Sequence, residues 1–153
     1  MSVSMQSTKV LNLIPPAVIK DNASFVEVEI DTAGYEYMTV FVALGATDIA
    51  MATLKLQSAT ASGGSFSDVT GLVYGTSNNT GGSASTLPSA NDDDSVFAFD
   101  VDLRAQNRFF QLIATAGDGA AGTYLSAIAI LSRAHTAPNT AAERGTSQTL
   151  RTT

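Results

Sequence analysis

The chain has no cysteine, no tryptophan, one histidine and four prolines in 153 residues. Without cysteine there is no disulfide, no thiolate nucleophile and no cysteine-ligated zinc, although this leaves the compartment open. The lone histidine, His135, rules out a multi-histidine metal site. It stands in a polar tail that offers no rigid acid partner of the kind a catalytic triad requires. Aromatic residues make up only 7%, which leaves little surface for stacking on sugars. Charge is scarce as well, at 14% of residues against roughly 25% in ordinary soluble proteins. What charge there is leans acidic, to a net −6, so a nucleic-acid partner is not expected. No apolar run approaches the roughly 20 residues of a membrane span, and "MSVSMQSTKV" lacks the basic-then-apolar order of an export signal. No membrane partner is expected either.

What is present is alternation. In "SFVEVEI", Val26, Val28 and Ile30 share one side and Glu27 and Glu29 the other, the period of a half-buried strand. "MATLKLQ" repeats the pattern with Ala52, Leu54 and Leu56 inward. "VFAFDVDL" does so with Phe97, Phe99, Val101 and Leu103 inward and Asp100 and Asp102 outward. "YEYMTVFVAL" (35–44) and "YLSAIAIL" (124–131) are apolar on both parities, which predicts central strands or strands with a covered outer face. Gly, Asp, Asn and Ser punctuate these runs. About seven or eight short strands then predict one all-β domain, an antiparallel β-sandwich with the jelly roll as one of its forms. The domain is expected over 14–133, between an N-terminal arm (1–13) and an extended C-terminal arm (134–153). "GTSNNTGGSAST" (75–86) is too polar to pack and reads as a mobile surface loop. The tail carries Arg133, Arg144 and Arg151 against Glu143 alone, a weakly basic arm suited to lie along an acidic neighbouring subunit.

Three motifs invite chemistry. "GDGAAG" contains G-x-G-x-x-G at Gly117, Gly119 and Gly122, but a dinucleotide site needs a following helix and a further parallel strand. Here a strand-like run and a polar tail follow, so the stretch reads as a hairpin connection. Asp92, Asp93 and Asp94 are hard oxygen ligands. Counted from Asp92, however, the sixth residue is Phe97 and the twelfth is Leu103, which is not a calcium loop. Asp100 and Asp102 are spaced like a glycosidase pair, yet they are neighbours on one strand rather than two walls of a cleft. The sequence thus yields no catalytic, cofactor-binding or metal-ligating residues, and no enzyme is expected.

The segments "LIPPAVIKDNASFVEVEIDTAGYEYMTVFVALGATDIAMATLKLQSA", "GGSFSDVTG" and "DDDSVFAFDVDLRAQNRFFQLIATAGDGAAGTYLSAIAILSRA" resemble small structural proteins of tailed bacteriophages, and among them the capsid decoration, or cement, proteins. The resemblance lies in texture and strand order, with no ligand motif to carry across. It implies a β-sandwich or jelly-roll subunit on the outer surface of the virion head, made in the bacterial host cytoplasm and often a dimer or trimer. Its partners would be the major capsid protein and further copies of itself, and it would clamp capsomers against internal DNA pressure. On this reading Tyr37, Phe41 and Phe109 form subunit contacts, while Arg133, Arg144 and Arg151 belong to an arm that ties neighbours together. A tail or fibre component and a carbohydrate-binding β-sandwich module are the competing readings.

Overall fold

The computed structural model describes residues 7–16, 19–138 and 140–150. Among the described residues nine strands build two antiparallel sheets: β1 (Lys9–Ile14), β2 (Ile19–Lys20), β3 (Glu29–Asp31), β4 (Tyr35–Thr47), β5 (Thr53–Ala59), β6 (Ser67–Val73), β7 (Val96–Asp102), β8 (Phe109–Thr115) and β9 (Thr123–Ala134). Sheet A has the order β1-β9-β4-β7, with β2 continuing along the β1 side of β9; sheet B has the order β3-β8-β5-β6. The all-β sandwich expected from the alternation is what the chain forms.

The two long apolar runs became the neighbouring central strands of sheet A. β4 and β9 pair in register from Met38↔Leu131 through Leu44↔Leu125. This parity sends Met38, Val40, Val42 and Leu44 inward with Leu125, Ala127, Ala129 and Leu131. Small Ala127 and Ala129 leave room beneath β9 for the larger side chains of sheet B, where Ile30, Leu54, Leu56, Phe110 and Leu112 are at most 2% exposed. Large and small residues interdigitate to fill one shared core. In β7, Phe99 and Val101 are buried, Phe97 is half-buried, and Asp100 and Asp102 face out. Leu103, in the 3₁₀ turn that follows, is buried too, as the alternation required.

The first predicted strand is corrected. Ser24 bridges Thr115, whereas Glu29 pairs with Gln111. Four residues, 25–28, therefore oppose only three, 112–114, which is a β-bulge. The extra residue shifts the parity, so Phe25 and Ile30 are both buried while Val26 and Val28 lie exposed. Ala52 is likewise exposed and Met51 takes the inward place, because regular pairing of β5 begins only at Thr53.

The polar stretch 75–86 is organised by its own hydrogen bonds. Asn79 Oδ1 accepts from the N–H groups of Gly81 and Ser83 at 3.0 and 3.2 Å, and Asn78 bridges Ala84. Beyond β9, residues 140–146 form a turn that folds back on β1, where the Arg144 carbonyl accepts from the Val10 N–H at 2.8 Å. This part of the tail therefore lies on its own subunit.

Truncating the core should be costly and truncating the outer face should not. Phe110→Ala is expected to lose about 3–5 kcal/mol in denaturant unfolding, against at most about 1 kcal/mol for Phe41→Ala. Equal losses would mean that the inward and outward faces are misassigned.

Candidate interaction face

The two outer faces of the sandwich differ in chemistry. On sheet B the outward side chains form a polar ladder. Lys55 Nζ lies 2.8 Å from Asp68 Oδ1, Gln57 donates to Asp68 at 2.7 Å, Gln111 donates to Gln57 at 3.0 Å, and Ser24 meets Thr115 at 3.0 Å. These groups satisfy one another. On sheet A the middle row runs Ala98–Phe41–Ile128 across three strands. Phe41 is 37%, Ile128 39% and neighbouring Val96 63% exposed. Ala43 is exposed beside them, and Ile130 is half-buried in the row below. An apolar row across the middle of a sheet, bordered by polar residues, is the signature of a contact surface.

One end of this face carries arginine around an aromatic ring. The Tyr37 ring centroid lies 5.2 Å from the Arg104 guanidinium carbon and 5.1 Å from that of Arg133. Arg133 adopts a left-handed backbone, φ 52°, which turns it out of the strand alternation. Arg104 is held by Asp102, which accepts from its Nε at 2.8 Å and from its backbone N–H at 3.1 Å. The side-chain bond from Arg104 is the larger cause that brings the Asp102 pKa down to about 2. Arg133 approaches Glu36 at 3.7 Å. Above Tyr37, Thr39 donates to Asp100 at 2.8 Å.

The other end is acidic. The connections 20–24, 45–52, 88–95 and 116–122 meet there and carry Asp21, Asp48, Asp92, Asp93, Asp94 and Asp118 against Lys20. Four of these carboxylates, Asp21, Asp48, Asp92 and Asp93, have internal work to do. Asp92 accepts from the Ser89 backbone and hydroxyl at 2.8 Å each, and Asp93 accepts from the Thr47 N–H at 2.8 Å. Among the described residues, no group of three acidic, histidine or cysteine side chains is placed to hold a metal ion.

The third carboxylate explains the Gly-rich loop. Asp48 Oδ2 accepts from the N–H groups of Ala120 and Ala121 at 2.5 Å each, and Gly119 N–H donates to Asp21 at 3.0 Å. Successive backbone N–H groups form an anion-binding nest, and here the anion is the chain's own side chain. A Cβ at Gly119 would overlap the Asp48 carboxylate, whose Oδ1 is buried against it. Gly122, at φ 83°, closes the loop where a Cβ would strike the Lys20 carbonyl. The Ala121 and Ala120 N–H groups hold the Asp48 carboxyl below its ordinary pKa.

A cleft of about 440 Å³ lies beside β7, lined by Tyr74, Asn78, Asn79, Phe97, Phe99 and Asp100 among others. Tyr74 packs edge-on against Phe97 and Phe99 at 5.4 and 5.0 Å. Its hydroxyl donates to the Ala98 carbonyl at 2.8 Å and accepts from the Ala98 N–H at 3.3 Å. Burial raises its pKa. The phenol is thus occupied in closing the free edge of β7. His135 lies at the arginine end, its backbone N–H on the Gly34 carbonyl at 2.8 Å.

The structure brings together three of the six residues singled out from sequence. Tyr37, Phe41 and Arg133 share the outer face of sheet A. Phe109 lies instead on β8 of sheet B, 9% exposed and covered by the Arg108 guanidinium at 4.9 Å, so it does not extend that face. Arg144 contributes its carbonyl to the β1 edge, and Arg151 lies outside the described residues. Ile128, Val96 and Arg104 were missed. The alternating outward positions of β7 and β9 were the available signal for the first two. The chain matches no protein-family model, no curated protein and no solved structure.

Two measurements check these assignments. Asp48→Ala should speed hydrogen exchange at the Ala120 and Ala121 amides selectively, and unchanged protection would remove Asp48 as the loop's anchor. Asp48 and Asp102 both have folded pKa values below the unfolded 3.8. Their stabilisation is therefore complete above about pH 4 and is lost as pH falls toward the folded values. Titration between about pH 5 and pH 2 should show a smaller loss of stability in Asp102→Asn than in the native chain.

Proposed function

We propose that the chain is a non-enzymatic virion structural protein, which binds the outer surface of a tailed-phage head and stabilises contacts between capsid subunits. The observation that carries this is the contrast between the two outer faces. Sheet B pairs its outward polar groups with one another and leaves Val26 and Val28 exposed only along its β3 edge, while sheet A has Phe41, Ile128 and Val96 exposed across its middle. The strand orders β1-β9-β4-β7 and β3-β8-β5-β6 support reading the sandwich as a jelly roll, since, with short β2 set aside, the eight strands divide four and four between the sheets and the chain crosses between them repeatedly.

The other exposed features favour packing by faces. The β7 edge is closed at Ala98 by Tyr74, and the β1 edge is closed at Val10 by Arg144. Edges blunted in this way discourage strand-by-strand addition, so contact falls to the apolar face. Specific interfaces bury on the order of 1,200–2,000 Å², and many copies on one shell multiply modest contacts through avidity. An acidic surface suits a site on the outside of a shell, away from packaged nucleic acid. The bacteriophage assignment itself rests on the resemblance of the strand segments.

The test is cosedimentation with undecorated heads, followed by heating. Binding should saturate at a fixed number of copies per head, and decorated heads should retain DNA to a higher temperature than bare ones. Failure to bind, or identical DNA retention, would overturn the assignment.

A further inference from the structure

We propose that the cleft beside β7 binds a neutral oligosaccharide, held across two adjoining depressions that meet at Asn78. The chain is poor in aromatic residues, yet Tyr74, Phe97 and Phe99 converge here. Phe99 is buried, whereas Tyr74 and Phe97 are half-buried and supply an apolar floor. That floor lies between β6 and β7, the end strands of the two sheets. A second depression of about 460 Å³ shares Gly71, Val73, Ser77 and Asn78 with the first. Each has the size of a small-molecule site, so the pair forms a groove suited to an extended ligand of more than one ring.

Around the floor stand polar groups whose hydrogen-bonding capacity is unspent. Asn79 uses its Oδ1 on the Gly81 and Ser83 N–H groups, which leaves its amide NH₂ to donate. Asp100 accepts from Thr39 at Oδ1, which leaves Oδ2 to accept. Among the described residues, the Asn78 amide and the Thr80 hydroxyl form no hydrogen bond. On sheet B such groups pair off with one another, while in the cleft donors and acceptors stay available side by side.

The same inventory selects the occupant. Among the described residues that line the two depressions there is no lysine, arginine or histidine, so an anion finds no counter-charge. Their carboxylates, Asp68 and Asp100, already accept from Lys55 and Thr39, which weakens their hold on a cation. An added peptide strand needs the backbone groups along the edge of β7, and Tyr74 occupies those of Ala98. A saccharide offers hydroxyls that both donate and accept beside an apolar ring face. Amides, a hydroxyl and one carboxylate oxygen around aromatic carbon match that pattern. This site goes beyond the head assignment and does not depend on it.

The test is amide NMR of the labelled full chain with maltotriose, cellotriose and triacetylchitotriose, alongside trilysine and trigalacturonic acid. At least one neutral trisaccharide should shift amides within 68–80 and 96–100, more tightly than its monosaccharide and with no response to salt. Asp100→Ala should weaken that binding about tenfold and Asn78→Ala severalfold. Should Asp100→Ala unfold through loss of its bond to Thr39, Asn78→Ala gives the same reading, because its side chain holds nothing in place. Retention on the parent polymer, amylose, cellulose or chitin, identifies a segment within a long chain, and binding of the trisaccharide alone identifies a free sugar; either result upholds the site. No shift with any of the three, shifts elsewhere on the sandwich, or binding that ignores Asn78→Ala would overturn it. Tighter binding of trilysine or trigalacturonic acid at the same amides would overturn the neutral class, and a trisaccharide no tighter than its monosaccharide would overturn the paired depressions.

Discussion

The register between β4 and β9 is the constraint on which the rest of the molecule depends. Because strand side chains alternate with period two, a slip of one residue would exchange the inner and outer sets of both strands. The observed register places Met38, Val40, Val42 and Leu44 in the core beside Ala127, Ala129 and Leu131. The same alignment places Phe41 beside Ile128 on the outside. The core and the exposed apolar row are two consequences of one pairing, so neither can be altered in register without the other.

The Gly-rich loop shows how a motif can be chemically truthful and functionally misleading. Its backbone does cradle an anion, and its glycines are needed for close approach and for positive φ. The anion, however, is Asp48, fixed to the end of a neighbouring strand. A nest already filled by a tethered carboxylate has no vacancy for a phosphate. The loop serves to weld the end of β4 to the start of β9, which protects the register at the acidic end of the sandwich.

Much of this was legible in the sequence, and the parts that were not share a cause. Alternation in "VFAFDVDL" gave the inward and outward sets of β7, and two-sided apolarity marked β4 and β9 as central. The bulge opposite residues 112–114 was invisible because it is a relation between two strands, and Val26 and Val28 match the pattern of a regular strand taken alone. Phe109 and Phe110 are adjacent in sequence, and only the register of β8 shows which one enters the core and which lies under Arg108. The partner of the Gly-rich loop lies some seventy residues earlier. The closure of β1 uses a backbone carbonyl, which leaves no signature in residue type. Tyr37 and Phe41 were found because "YEYMTVFVAL" is apolar on both parities, whereas their cross-strand neighbours required the pairing.

The closure of β7 by Tyr74 bears on growth of one strand upon another. Most proteins keep copies apart by mutual repulsion, and this chain has few charges with which to do so. A phenol that engages both the N–H and the carbonyl of Ala98 withdraws a pair of groups that a growing cross-β stack would need. Resistance of this kind is geometric, and it does not fade when salt screens the surface. Copies of this chain crowded side by side therefore meet no free N–H and carbonyl pair at Ala98 on which strand-on-strand growth could start.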